Sequence, residues 1–194
     1  MTTSTFTRTP AWILEQIIKA STPVIKIYSL RPESDGTWAR GTNPKDSRYG
    51  PWRKADYEIL NQVTLGAKQG CLFFVVGDDG KLRYFGTTKS HMKERVRVCK
   101  ARNPENTSEV LAEKELYVSC FRDMEKELEK SPKNTFEVRC VDKDVMRVCL
   151  EEPGNESVRE LFSLKEVESN FKSVKDAIKS WLNHHKLASW GKGS

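Results

Sequence analysis

Long apolar runs are missing from this chain. No stretch approaches the roughly 18 consecutive apolar residues that a membrane-spanning helix requires. Met1 to Pro10 is rich in threonine with Arg8 as its only charge, and so lacks the basic start and apolar centre of a signal peptide. Metal-binding spacing is missing too. The five cysteines, Cys71, Cys99, Cys120, Cys140 and Cys149, form no CxxC pair and no cluster with histidine, and His184-His185 stands alone. A structural zinc site is therefore not expected. An odd number of widely spaced cysteines in apolar surroundings, such as Val138-Arg139-Cys140-Val141, reads as reduced core thiols. The expected setting is a reducing one, intracellular and either cytoplasmic or nuclear, with no membrane partner. No internal repeat is visible.

What is present is charge. Of the 194 residues, 31% are Asp, Glu, Lys or Arg and 37% are hydrophobic. That balance predicts a modest core under a heavily charged surface. Apolar periodicity runs through most of the chain, which a disordered segment would lack. The length suits one domain or a domain with extensions.

The net charge of +6 hides an asymmetry. Between residues 81 and 102 stand Lys81, Arg83, Lys89, Lys93, Arg95, Arg97, Lys100 and Arg102, opposed by Glu94 alone. The segment from Asn103 to Asn170 is acidic, and the C-terminal tail is basic again. A basic patch inside a folded segment is the electrostatic footprint of a phosphate-binding face. The alternative is a solvated helix face paired with nearby glutamates.

The pattern predicts a helix over Trp12 to Lys19, ended by Thr22-Pro23, and a strand over Val24 to Leu30. A long loop from Arg31 to Gly50 carries most of the turn residues. With the segment that follows, it interleaves cations and aromatics: Trp38, Arg40, Arg48, Tyr49, Trp52, Arg53, Lys54 and Tyr57. Such a mixture grips phosphates and stacks bases. It equally anchors a loop to a core, and both readings stay open. Pro51 suits the first turn of a helix reaching about Val63.

The clearest local signal follows. Cys71 to Val76 reads as a strand, Gly77-Asp78-Asp79-Gly80 as a turn, and Lys81 to Gly86 as a returning strand. Thr87-Thr88-Lys89-Ser90 then supplies a cap for a helix expected to reach Arg102, with Met92, Val96 and Cys99 as its apolar stripe. Lys93, Arg97 and Lys100 would share one exposed face of it, with Arg95 and Arg102 on the next. Between Thr107 and Lys130 a continuous helix competes with a strand over Leu116 to Phe121 followed by a helix from Arg122. Strands are expected at Phe136 to Val141 and Val145 to Leu150, then a C-terminal amphipathic helix carrying Val167, Phe171, Val174, Ile178, Trp181 and Leu182. The predicted class is α+β: a small mixed or antiparallel sheet with flanking helices. It divides into an extension over 1–66, a core over 67–135, and a C-terminal strand pair and helix over 136–194.

Residues 70–95 resemble the opening of the GIY-YIG nuclease domain. Gly70-Cys71-Leu72 stands at the first motif, Tyr84-Phe85-Gly86 at the second, and Thr88 and Arg95 follow at suitable spacing. The likeness is firm over about 30 residues. Glu125, Pro132 and Asn134 would extend it to about 65. The resemblance implies a Mg²⁺-dependent DNA endonuclease in which Arg95 clamps the phosphate and Glu125 holds the metal, with Glu127 or Glu160 as substitutes. Tyr84 would position or deprotonate the attacking water. One departure matters. Leu72 and Phe73 occupy the place of the first tyrosine, and neither can act as a base. Tyr84 alone, or the imidazole of His91, would have to compensate.

Three functions follow as expectations. The first is phosphodiester hydrolysis with Mg²⁺. The second is non-catalytic binding of DNA or RNA, DNA before RNA, through Lys81, Arg83, Lys89, Lys93, Arg97, Lys100 and Arg102, with Trp38, Arg48 and Arg53 from the loop. The third is a protein-interaction domain, including a homodimer that sets acidic face on basic face.

Overall fold

The computed structural model describes residues 8–31, 54–92, 96–102, 110–118 and 120–190, with the backbone alone for 31, 54, 97–102, 110–118, 121 and 122. Helix α1 spans Pro10–Ala20, strand β1 Thr22–Arg31, β2 Lys54–Ile59, helix α2 Gln62–Gly66, β3 Leu72–Gly77, β4 Leu82–Thr87, β5 Val96–Arg102 and β6 Val110–Val118. Then come α3 Phe121–Lys130, β7 Phe136–Val141, α4 Lys143–Glu151, α5 Glu156–Leu161, α6 Leu164–Ser169 and α7 Phe171–His184. The fold class is the expected one, α+β.

Five strands form one sheet in the order β2-β1-β7-β3-β4, and every neighbouring pair is antiparallel. Strands β5 and β6 pair separately as a two-stranded ribbon.

Alternation along the strands divides the core between the two faces of the sheet. On one face Leu72, Phe74, Val76, Leu82, Phe85 and Val141 meet the apolar sides of α1, α4, α6 and α7. On the other, Ile25, Ile27, Phe73, Val75, Phe136, Val138 and Cys140 meet Leu65, Met92, Val96, Met124 and Trp190. Strand β3 is therefore buried along its whole length, which its unbroken apolar run requires. Residues after α7 cover the free edge of β4: Ser189 N donates to Leu82 O at 3.3 Å and Trp190 N to Arg83 O at 2.7 Å.

Caps place several boundaries. Thr9 accepts from Trp12 N at 3.2 Å with Pro10 in the first turn of α1, and Asn61 accepts from Thr64 N at 2.9 Å to start α2. The β3–β4 turn uses Gly80 at φ +74°, a conformation glycine adopts freely.

The structure corrects four expected elements. The single C-terminal helix expected to carry Val167 with Phe171 to Leu182 is two helices, α6 and α7, separated at Asn170. Val145 to Leu150 is helical, in α4, rather than a strand. Asp142 accepts from Val145 N at 2.9 Å as its cap, and Val145, Met146, Cys149 and Leu150 recur at helical spacing on the buried side. The helix expected from Pro51 to Val63 is replaced over the described residues by β2 and the short α2. Ala55, Tyr57 and Ile59 alternate toward the core, while Val63 is 83% exposed. The helix expected to reach Arg102 gives way to β5. Val96 and Val98 are β-branched and pair opposite Val118 and Leu116, a partnership invisible to local periodicity. Of the alternatives between Thr107 and Lys130, strand then helix is the one formed, as β6 and α3. Among the described residues no helix is long and apolar enough to cross a membrane.

Candidate nucleic-acid interface

Among the described residues, the cations between Lys81 and Arg102 do not form one helix face. Lys81 is exposed at the β3–β4 turn, where its backbone N donates to Asp79 Oδ1 at 3.1 Å. Lys89 is exposed beyond the far end of β4. Arg97, Lys100 and Arg102 belong to β5 in the separate ribbon. Lys93 and Arg95 lie outside the described residues, as do Trp38, Arg48 and Arg53.

Arg83 has a different fate. The β3–β4 register shifts between Val75↔Tyr84 and Val76↔Leu82, leaving Arg83 as the extra residue of a bulge. Bulges re-aim side chains. Here the guanidinium is turned inward: Nε donates to Glu127 Oε1 at 3.0 Å and Oε2 at 2.9 Å, and one terminal nitrogen donates to Asp79 Oδ1 at 3.0 Å. Glu127 also accepts from Trp190 Nε1 at 2.7 Å and Asn134 Nδ2 at 3.1 Å. Burial opposes the Glu127 charge, yet the bonds from Arg83, Trp190 and Asn134 outweigh it and hold the carboxyl below the usual glutamate range. The network ties β4, α3 and the C-terminal segment together. Arg83, a candidate phosphate ligand in the sequence, is committed to that structural role.

Both motif glycines have packing reasons. A Cβ on Gly86 would lie 2.5 Å from the Phe73 ring across the ladder. A Cβ on Gly70 would lie 2.6 Å from Lys175 Nζ and from Lys89 O. Lys175 is buried and donates to Thr88 O at 2.8 Å. Thr88 Oγ1 accepts from Cys71 N at 3.1 Å. These contacts pin the segment that leads from β4 toward the ribbon. Sequence reasoning missed Lys175, because its partner is a backbone carbonyl 87 residues away.

The residues assigned to chemistry take these places. Tyr84 is half-buried, its ring 5.9 Å from that of Phe73. His91 is partly exposed, with Nδ1 2.9 Å from Ser90 Oγ. Glu125 is partly exposed on α3. Mg²⁺ is commonly held by one or two carboxylates, with water and substrate phosphate completing its shell at about 2.1 Å. Among the described residues no group of three or more His, Cys, Asp and Glu side chains is placed to hold a metal, and Glu127, a substitute ligand, is occupied by Arg83.

In the ribbon, the register sets Val96 opposite Val118, Arg97 opposite Tyr117, Val98 opposite Leu116, Cys99 opposite Glu115 and Lys100 opposite Lys114. Opposite residues share a face. One face therefore carries Val96, Val98, Leu116 and Val118 at its root and Lys100 with Lys114 beyond them. Val96 is fully buried in the core, which seats that root. Arg97, Cys99, Glu115 and Tyr117 are on the other face. A shift between Lys100 and Arg102 then brings Arg102 opposite Val110. Two lysines directly opposite are unfavourable unless an anion lies near them.

The chain matches no family model, and comparison with curated proteins and with solved structures yields no match.

Proposed function

We propose that this chain is a non-catalytic nucleic-acid-binding protein whose contact surface is the β5–β6 ribbon. The observation that carries the reading is the pairing of Lys100 with Lys114. Like charges set opposite each other across a ladder disfavour the pairing, and a polyanion lying beside them would offset that cost. Arg97 and Arg102 on β5 add to the same field, and the overall charge of +6 supports it.

Counterion release gives the test. Fluorescence anisotropy with a labelled oligonucleotide, between about 50 and 200 mM salt, should show affinity falling linearly on a log–log plot. Lys100→Glu with Lys114→Glu should abolish most of the binding. Salt-independent binding, or full binding by the double variant, sinks the reading. Incubation of plasmid DNA with the protein and Mg²⁺ should leave the plasmid intact. Nicking that depends on Arg95 would instead establish hydrolysis.

A further inference from the structure

We infer that Cys71 and Cys140 form a peroxide-sensitive dithiol, in which a small hydroperoxide oxidises Cys71 and Cys140 then closes a reversible disulfide between the start of β3 and the end of β7.

The sheet brings the two residues together. Its register sets Leu72 opposite Val141 and Phe73 opposite Cys140. Cys71 immediately precedes Leu72, so it is the diagonal neighbour of Cys140. Both side chains pack in the core on the same side of the sheet, and both thiols are free. A hydrogen bond joins them. Cys149 lies on the opposite side of the sheet, where Asn155 Nδ2 donates to its Sγ at 3.7 Å.

The two sulfurs differ in character. The bond from Cys140 holds the Cys71 thiol below its ordinary range in spite of burial, and Thr88 and the charge of Lys175 act in the same direction. Asp142 opposes them without reversing the balance. Cys71 Sγ lies 3.6 Å from Thr88 Oγ1. Lys175 is buried, and it donates to Thr88 O at 2.8 Å rather than to a carboxylate, so its charge stays available to the sulfur. Cys140 shifts the opposite way, because it is the donor of the shared bond and is itself buried. One sulfur is therefore the nucleophile and its neighbour the resolving thiol.

Burial selects the oxidant. The relative exposures are 1% for Cys71 and 3% for Cys140, which excludes a bulky disulfide reagent. A small neutral hydroperoxide can enter from the end of the strand, where Gln69 is exposed. The Cys71 thiolate attacks one peroxide oxygen. The S–O bond forms, the O–O bond breaks, and the departing alkoxide or hydroxide takes up the proton that Cys71 lost. The Cys140 sulfur then attacks the sulfenic sulfur of Cys71. The S–S bond forms and the S–O bond breaks, and hydroxide leaves with the Cys140 proton as water. Two electrons pass from the sulfurs to the peroxide. Diagonal neighbours sit near the upper limit of Cα separation for a disulfide, about 6.8 Å, so the bond is strained and thiols reduce it readily.

The test treats the folded full chain with hydrogen peroxide, alkylates the remaining thiols and maps tryptic peptides by mass spectrometry without reduction. Peptides 69–81 and 140–143 should appear linked, with two hydrogens lost, and dithiothreitol should separate them. Dimedone added with urea should trap a sulfenic acid on Cys71 in Cys140→Ser, and should leave Cys140 unlabelled in Cys71→Ser. Links through Cys99, Cys120 or Cys149 instead overturn the inference. So does a 71–140 link that forms only in protein unfolded before oxidation, or the absence of any link. Labelling of Cys140 in Cys71→Ser overturns the assigned roles. The peptide map is read on the unaltered protein, so it does not depend on a variant folding.

Discussion

Arg83 Nε lies 3.0 and 2.9 Å from the two carboxylate oxygens of Glu127, joining the bulged residue of β4 to the middle of α3. The pair takes one arginine out of the basic segment and makes it part of the scaffold. Both side chains are well covered, with relative exposures of 11% and 20%. Charge-assisted bonds in such surroundings contribute more than surface ion pairs do.

Replacing Glu127 by alanine leaves Arg83, Trp190 and Asn134 without their common acceptor. Bonds to charged groups are worth about 1.5–3 kcal/mol each, and their losses overlap, so a destabilisation of about 3 kcal/mol is expected. Urea denaturation of wild type and variant measures it. A change below about 0.5 kcal/mol would show that the network is ornamental to stability.

The same carboxylate predicts a pH dependence. Its folded pKa is depressed, so its contribution is complete above the unfolded value of about 4.3 and is lost as pH falls through the folded value. Wild-type stability should decline as pH drops below about 4.3, and Glu127→Gln should decline less steeply over that window. Parallel curves from thermal melts across the acid range would contradict the assignment.

Gly86→Ala puts a methyl group into the Phe73 ring, 2.5 Å from its nearest carbon. Overpacking of this kind costs about 1–3 kcal/mol. Adding Phe73→Leu should return part of the loss, because the smaller side chain vacates the space. Additive single and double effects in a double-mutant cycle would place the strain elsewhere.

Stability and binding should separate by residue. Arg83→Ala is expected to lower the melting temperature and leave the salt slope of DNA binding unchanged in the protein that remains folded. Lys100→Ala and Lys114→Ala should each reduce that slope by about one, with little change in melting temperature. A slope that falls with Arg83 and holds with the two lysines would move the contact surface from the ribbon to the hairpin.

The parts of the fold legible in sequence are those whose signals are local. The apolar spacing of Trp12, Ile13 and Ile17 announces α1, whose Thr9 cap and buried Leu14 the structure adds. The unbroken run from Leu72 to Val76, the Asp-Asp-Gly turn and the return through Phe85 announce the β3–β4 hairpin. Met124 and Leu128 mark the buried side of α3. Of the misread elements, one carried a local signal that went unread and the other depends on a distant partner. Val145 to Leu150 is apolar enough for a strand or a helix, and the bond from Val145 N to Asp142 selects the helix. Lys89 to Arg102 has helical spacing of its apolar residues, yet Val96 to Arg102 pairs with β6.

The candidate site divides in the same way. Composition alone determined that this protein carries a concentrated positive charge between Lys81 and Arg102 in an α+β chain with no long apolar run. Tertiary structure decided where those charges go. It turned Arg83 inward at a bulge, put Lys81 and Lys89 at opposite ends of β4, and placed Lys100 opposite Lys114 on a separate ribbon. The reason is range. Charge and apolar periodicity are properties of neighbours along the chain, whereas register, bulges and carboxylate partners arise only when strands and helices far apart in sequence meet.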